Sequence, residues 1–291
     1  MVTFVNILVA GLATGAIYAL VAIGFTLLWQ TSQTINFAQG EFVMLPAFFM
    51  LAAVNVGLPF WLAILIGFAI TMALLGWGFK RILVDPMLRH GVLPLAIGTM
   101  ALSIFMRESV KELFSAEAQP FPSVVPATNI EILGAVVSMQ NIGVLLVAVL
   151  AVLALQYLLT RTSIGHQMQA TAQNPTVARI LGIPVDRMIL YTFLINAGLV
   201  ALASLLITPL YLAKFSSGEI LGQAAFIAAI VGGFNQVRGA IAGGLLLGVV
   251  DNLAATYVST QYRAAIPLFL LIAIILFRPQ GLFGRAEERT V

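Results

Sequence analysis

Long apolar runs separated by short polar islands make up most of the chain. The longest charge-free stretches are residues 1–40, Phe42–Phe79, Ile132–Thr160 and Met188–Ala213. About 20 consecutive apolar residues are enough for a helix to cross a bilayer. The pattern therefore predicts a helical membrane protein in which crossings account for most of the sequence.

The apolar pattern predicts an all-α fold class, a polytopic bundle of eight or nine transmembrane segments within a single transmembrane domain, 1–291. The segments are Phe4–Trp29, Phe42–Val56, Pro59–Gly78, Pro94–Met106, Asn141–Thr160, Met188–Leu212, Leu221–Phe234, Gly239–Val258 and Ile266–Phe277. The second and seventh are too short for a full helical crossing, and short or broken helices in transporters place irregular backbone where it lines a cavity. Each either spans or is re-entrant.

The longest polar island, about 161–187, has the pattern of a short amphipathic helix. Asn174 is suited to cap its start and Pro175 to its first position. Gly182 and then Pro184 predict its end, with Gly182 in a left-handed conformation. Its apolar positions share one face by i, i+3, i+4 spacing and are Val177, Ile180 and Leu181. The pattern is equally compatible with an ordinary surface loop.

A second polar interruption, residues 30–41, separates the first two apolar runs and ends in Glu41. One interpretation places Asn36–Glu41 at or near a translocation path, where polar backbone and side chains line a cavity. The other interpretation is a plain loop with Glu41 solvated at a helix start, where a carboxylate is favourable. The residues alone leave both open.

A weak internal repeat is possible. Gly40-Glu41 precedes a short apolar run, and Gly218-Glu219 does so again 178 residues later. The predicted topology places the first pair on the cytoplasmic side and the second outside, as an inverted repeat requires.

The basic residues are distributed unequally between the two sides. Ten of the 14 lie in the segments 80–93, 160–187, 235–238 and 278–291, and the other four are Arg107, Lys111, Lys214 and Arg263. Cytoplasmic loops carry the excess of Lys and Arg, which places the 161–187 loop and the C-terminus in the cytoplasm. Residues 115–140, with three prolines and little periodicity, form the largest external segment. The charges at 107–112 are interpreted as an aqueous helix end in which Glu108 attracts Lys111.

Composition excludes several classes of function. Of 291 residues 61% are hydrophobic and 9% charged, and cysteine is absent, so neither a disulfide nor a thiolate metal site can form. His90 and His166 stand alone in polar loops, which disfavours a metal site or a catalytic triad. The phosphate-binding pattern G-x-x-x-x-G-K-[ST] does not occur, so any ATP is bound by another chain. We expect no cofactor, no enzyme activity and no nucleic-acid partner. No basic region precedes the first apolar run, so we expect that span to be retained.

Three stretches resemble one protein family. The first contains Gly165, Ala170, Ala172, Gln173, Asn174, Ala178, Leu181, Gly182, Ile183, Asp186 and Arg187 in that order. It is similar to the cytoplasmic coupling loop of ABC importer permeases, and more narrowly to permeases of branched-chain amino acid uptake systems. Residues 35–42 (INFAQGEF) near the start and residues 277–284 (FRPQGLFG) at the end resemble the same family.

The resemblance implies a permease subunit in a bacterial inner membrane. Its expected partners are two cytosolic ATPase subunits, a second permease chain that is homologous but different, and an external substrate-binding protein. Contacts with the ATPase are expected from Gln173, Asn174, Ala178, Arg179, Leu181 and Gly182. The translocation path is expected to include Asn36, Gln39, Gly40, Glu41, Glu219, Asp251 and Asn252.

Other functions stay open at this point. A secondary transporter driven by H⁺ or Na⁺ would use a titratable residue on its path, and Glu41, Glu219 or Asp251 could serve. A membrane-embedded enzyme or structural subunit is disfavoured because no catalytic constellation occurs. The cargo of an ABC permease could also be urea or a short amide. Dependence of transport on ATP and on other chains separates the first alternative from the importer.

Overall fold

The structure, a computed structural model, describes residues 2–126, 128–132, 135–259 and 265–284. Three of the basic residues used to predict orientation, Arg263, Arg285 and Arg289, lie outside this range. The described helices are α1 Val2–Ser32, α2 Gln39–Asn55, α3 Phe60–Thr71, α4 Asp85–Leu88, α5 Val92–Phe114, α6 Met139–Arg161, α7 Ser163–Gln173, α8 Pro175–Ile180, α9 Val185–Tyr211, α10 Ser217–Gly232, α11 Val237–Tyr257 and α12 Ala265–Phe277.

Within the described residues, six helical stretches are long and apolar enough to cross a membrane. They are Phe4–Ser32, Phe60–Leu88, Val92–Phe114, Met139–Arg161, Val185–Tyr211 and Val237–Tyr257. Three shorter apolar helices, α2, α10 and α12, have 17, 16 and 13 residues. Each of the nine corresponds to one predicted apolar run, which confirms a helical membrane protein.

The third run is longer than predicted. The helix does not end at Gly78 but continues from α3 through the π-helical segments Met72–Gly78 and Lys80–Val84 into α4. Lys80 and Arg81 therefore lie inside a helix rather than in a loop. Lys80 Nζ lies 3.0 Å from Asp85 Oδ2, and this ion pair neutralises the ammonium group where the helix becomes polar.

The segment 115–140 is not entirely irregular, which corrects the purely α-helical class. Strands β1 (Asn129–Ile132) and β2 (Ala135–Ser138) form an antiparallel hairpin with Ile130 opposite Val137. Their short alternating pattern is masked in the sequence by prolines before it and apolar residues after it.

The chain divides into two compact units. One comprises Leu27–Val124 and Leu150–Gln223. Its core is aromatic: the ring of Phe79 packs edge-on against Phe42 at 4.8 Å between centroids and against Phe193 at 5.9 Å. These rings join α2, the π-helical region and α9 into one packed layer.

The other unit comprises Met1–Thr26, Val125–Val149 and Ala224–Val291. Here α1 and α11 approach closely through glycines, because a Cβ atom at Gly11 would lie 2.9 Å from the backbone of Val249 and one at Gly15 2.8 Å from that of Gly244. Small residues permit such contact between membrane helices. After α12, the chain hydrogen-bonds to the end of α10, with Leu282 N–H donating to Val231 at 2.8 Å.

Candidate functional site

The polar island contains two helices rather than one. Thr162 caps α7, its hydroxyl accepting from Gly165 N–H at 3.0 Å. Asn174 caps α8, as predicted, and its Oδ1 accepts from Thr176 and Val177 N–H, both at 3.0 Å. The predicted helix start is therefore confirmed, while α7 was not expected.

The end of α8 is a Schellman motif. Gly182 has φ +79°, its N–H donates to Arg179 C=O, and Ile183 N–H donates to Ala178 C=O, both at 3.0 Å. The left-handed Gly182 was predicted, and a non-glycine residue there is strained. Both ends of this one-and-a-half-turn helix are thus fixed by local hydrogen bonds.

The two capped ends of α8 hold an apolar ridge in an exposed position. Val177, Ile180 and Leu181 are 47%, 79% and 71% exposed. Gln173, Asn174 and Arg179 are exposed as well, and Arg179 forms a 3.6 Å surface ion pair with Asp186. Ala178 was expected to contact the ATPase, but its side chain is 1% exposed and packs inside this chain. A partner would contact the residues around Ala178 and not its methyl group.

The second candidate region is the start of α2, which is earlier than predicted. Gln39, Gly40 and Glu41 form the first helical turn and are buried. Gln39 and Asn196 exchange two amide hydrogen bonds: Gln39 Nε2 donates to Asn196 Oδ1 at 2.7 Å and Asn196 Nδ2 donates to Gln39 Oε1 at 3.1 Å. Asn36 accepts from Ala38 N–H at 3.0 Å and lies 3.4 Å from Gln39 Oε1. These amides replace the hydrogen bonds that water would give to a broken helix.

Two constant sequence offsets show how α2 lies against its neighbours. Gln39–Asn196 and Ala47–Ser204 are both 157 residues apart, and Ser204 Oγ accepts from Ala47 N–H at 3.0 Å. Glu41 bonds to Ser103 on α5, and Phe37 N–H donates to Thr99 Oγ1 of the same helix; both pairs are 62 residues apart. Because the offset along α9 is constant, α2 runs parallel to α9, and its first turn lies near the middle of α9 and α5.

Glu41 is not solvated at a helix start. It is 2% exposed, its Oε1 accepts from Ser103 Oγ at 3.0 Å, and its Oε2 has no hydrogen-bond partner among the described residues. Arg107 on α5 forms an ion pair of 2.7 Å with Glu219 instead. The predicted attraction between Glu108 and Lys111 is present at 3.1 Å. The pairing of Arg107 with Glu219, 112 residues away, was not predicted.

The two Gly-Glu pairs lie together. A Cβ atom at Gly40 would collide with the carbonyl oxygen of Gly218, and one at Gly218 would collide with Glu41 Oε2. A Cβ atom at Gly222 would lie 2.7 Å from Gly40 Cα. The first turns of α2 and α10 therefore touch, so the prediction that the pairs occupy opposite sides of the membrane is wrong.

The remaining predicted path residues lie in the other unit. Asp251 on α11 is buried and accepts a 3.4 Å hydrogen bond from the Tyr18 hydroxyl. Asn252 Nδ2 donates to Gly248 C=O, one turn earlier in its own helix. The sequence missed Asn196, Ser103 and Arg107 as neighbours of the α2 start. For Asn196 the signal was present, as an amide within a charge-free run.

The described part of the chain holds no group of three or more His, Cys, Asp or Glu side chains that could bind a metal. His90 and His166 are both exposed.

The sequence is similar to those of known proteins. The family model described as "Branched-chain amino acid transport system / permease component" matches residues 7–275. The chain is 32% identical to the high-affinity branched-chain amino acid transport system permease protein LivH of Escherichia coli (strain K12), over 97% of this chain and 96% of that one. It is also 32% identical to the permease protein BraD of the same kind of system in Pseudomonas aeruginosa, over 98% and 97%.

Proposed function

The chain belongs to the family of permease components of branched-chain amino acid transport systems, and on this premise we propose that it is the membrane-spanning subunit of an ATP-driven importer. Its cargo would be a branched-chain or related amino acid. Family membership favours this function over an ion-coupled transporter, an enzyme or a urea permease.

The proposed assembly contains two cytosolic ATPase subunits, which bind the ATP, a second and homologous permease chain, and an external substrate-binding protein. The membrane is the bacterial inner membrane, with the α7–α8 loop and the C-terminus in the cytoplasm. The distribution of Lys and Arg supports this orientation.

One observation carries the proposal: the exposed apolar ridge of Val177, Ile180 and Leu181 on a helix with both ends fixed. An apolar patch that protrudes from a polar loop marks a protein contact. A rigid, capped helix loses little conformational entropy when it docks. We therefore assign this ridge to the ATPase contact, with Gln173, Asn174 and Arg179 as its polar rim.

A mechanical connection leads from the ridge to the start of α2. After Gly182 the chain enters α9 at Val185, and α9 contacts α2 through Asn196 and Ser204. A displacement of α8 by the ATPase would move α9 along its axis. The three hydrogen bonds that join Asn196 and Ser204 to α2 would then pass that movement to α2.

We propose nine crossings, three of them short, with the path passing the first turns of α2 and α10. A repeat supports this arrangement. In each half a long helix, α1 or α9, is followed directly by a non-glycine residue with positive φ, Gln33 at 51° or Leu212 at 66°. Each is followed by a short helix whose first three residues end in Gly-Glu.

The amount of ATPase that co-purifies with the permease, with the ridge intact or disrupted, tests the docking. The permease pair is co-expressed with the two ATPase subunits, and the variant Ile180→Asp is compared with wild type. We expect normal membrane insertion, at least a tenfold loss of co-purified ATPase, and loss of ATP-dependent uptake, because a desolvated unpaired carboxylate costs about 2–5 kcal/mol.

Val56→Asp is the matched control. Val56 is 82% exposed but follows α2, in a turn predicted to lie outside. We expect it to recover ATPase as wild type does. Full recovery of ATPase and uptake with Ile180→Asp would refute docking through this ridge, and uptake without ATP would refute the importer itself.

A further inference from the structure

The structure leaves one buried carboxyl oxygen without a partner among the described residues. Glu41 Oε1 accepts from Ser103, but Oε2 has no hydrogen-bond partner, and no basic nitrogen lies within 4.0 Å of either oxygen among the described residues. An ionised carboxylate is buried stably only when it is paired or hydrogen-bonded. Glu41 is therefore half satisfied, at the point where two helices begin.

The adjacent guanidinium does not fill the gap. Arg107 Nη1 lies 2.7 Å from Glu219 Oε2, so this pair is already formed. The cluster of Glu41, Arg107 and Glu219 therefore contains two carboxyl groups and one guanidinium group. A ligand that completed it would bring one cationic group with N–H donors to Glu41 Oε2.

The setting also suits an anionic group. The first turns of α2 and α10 meet at Gly40 and Gly218, and the free N–H groups of a helix start attract carboxylates. Transporters use the starts of broken helices in this way. An unpartnered carboxyl oxygen beside two helix starts suits a ligand that carries both an ammonium and a carboxylate group, such as a zwitterionic α-amino acid.

We propose that Glu41 binds the α-ammonium group of the amino acid as it passes the permease, while the first turns of α2 and α10 face its carboxylate. This inference rests on the proposed function. It assigns to the permease the recognition of the ammonium and carboxylate groups that all α-amino acids share. It assigns to the permease no recognition of the amino-acid side chain.

The contact that the substrate would displace is made of backbone. Gly40, Gly218 and Gly222 meet without side chains, and Glu41 Oε2 lies against Gly218. Separating the two turns by a few ångströms would expose Oε2 and the free N–H groups together, with no side chain to withdraw. In this proposal the closed contact is the empty form of the site.

A purely structural role for Glu41 makes a different prediction. If the group is a neutral acid that only donates or accepts within the bundle, glutamine has nearly the same shape and can also both donate and accept. Glu41→Gln would then leave ligand binding unchanged. If the group binds an ammonium ion, the loss of its charge weakens binding by about 30-fold or more.

The test measures equilibrium binding of radiolabelled L-leucine to the purified permease–ATPase complex without the substrate-binding protein. Two competitors each lack one end of the zwitterion: 3-methylbutylamine has no carboxylate and 4-methylpentanoate has no ammonium. We expect wild type to bind L-leucine and to be displaced by the amine far better than by the acid. Glu41→Gln should bind at least about 30-fold more weakly, and Glu41→Asp should bind weakly but keep the preference for the amine.

Glu112→Gln, the same change on an exposed part of α5, is the control and should bind as wild type does. Wild-type affinity in an assembled Glu41→Gln complex would overturn the inference, as would displacement of L-leucine from wild type by the acid as readily as by the amine. No L-leucine binding by the wild-type complex would overturn it too. ATP-driven uptake by the complete wild-type system is measured in parallel, and its absence would instead overturn the proposed function. If Glu41→Gln fails to assemble, Glu41→Asp and the competitors on wild type decide the question.

Discussion

Replacing Asn196 by leucine tests the amide pair Gln39–Asn196, which joins the start of α2 to α9. The change leaves Gln39 Nε2, which donates to Asn196 at 2.7 Å, without a partner, and leaves Gln39 Oε1 only the 3.4 Å contact with Asn36. An orphaned buried polar group costs about 1–3 kcal/mol. We expect Asn196→Leu to lower the free energy of unfolding by that amount, a five- to 150-fold change in the unfolding equilibrium.

The double variant Gln39→Leu/Asn196→Leu gives the decisive comparison. Replacing both partners by apolar side chains of similar size removes the orphaned amides of this pair, at the loss of only the long 3.4 Å contact from Asn36, and is therefore close to neutral. Unfolding is followed by far-UV circular dichroism in mixed detergent micelles for wild type, both single variants and the double variant. We expect the double variant to be more stable than either single one, with a coupling of about 1–3 kcal/mol.

Thr192→Val is the control on the same helix. The Thr192 hydroxyl bonds back to Met188 C=O in its own helix, so its removal orphans no other side chain, and we expect a loss under about 1 kcal/mol. If the effects of the two single leucine variants simply add in the double variant, the two amides are energetically independent and the reasoning is refuted.

Three further predictions concern other elements. Gly182→Val should destabilise the end of α8 by about 1–2 kcal/mol and reduce co-purified ATPase, whereas Gly182→Asn should be milder because asparagine tolerates positive φ; equal effects would contradict this. Gly248→Ala should destabilise the protein in the same unfolding assay because its Cβ would collide with the backbone of α1, whereas Gly198→Ala, with nothing within 4 Å, should be neutral or stabilising. In a cell-based labelling assay, single cysteines at Arg179 and Ser123 should react from opposite faces of the membrane, with only the second accessible from outside; outside labelling of both would contradict the orientation.

The sequence predicted those elements whose signal is local. Apolar runs of sufficient length became helices, and the end signals of α8 are governed by a few neighbouring residues, so Asn174 and Gly182 were assigned correctly. The end of the third run was wrong because Lys80 and Arg81 look like a loop, although Lys80 is neutralised by Asp85 one turn later.

The surroundings of Glu41 were not predictable, because they depend on segments far apart in the sequence. Nothing near residue 39 indicates that its partner is Asn196, since the pairing follows from how α2 packs on α9. A carboxylate in a first turn has the same local sequence whether it faces water or a helix contact. The sequence showed that a Gly-Glu pair precedes a short apolar run twice. It did not show that the two pairs touch.

The glycine contact between α2 and α10 also gives a criterion for reading other sequences. Gly40, Gly218 and Gly222 meet backbone to backbone, and a side chain at any of them would collide with the opposite helix. A related chain with a larger residue at one of these positions must begin one of its two short helices elsewhere. Comparing these three positions among homologues would therefore sort the family by the architecture of its broken crossings, independently of cargo.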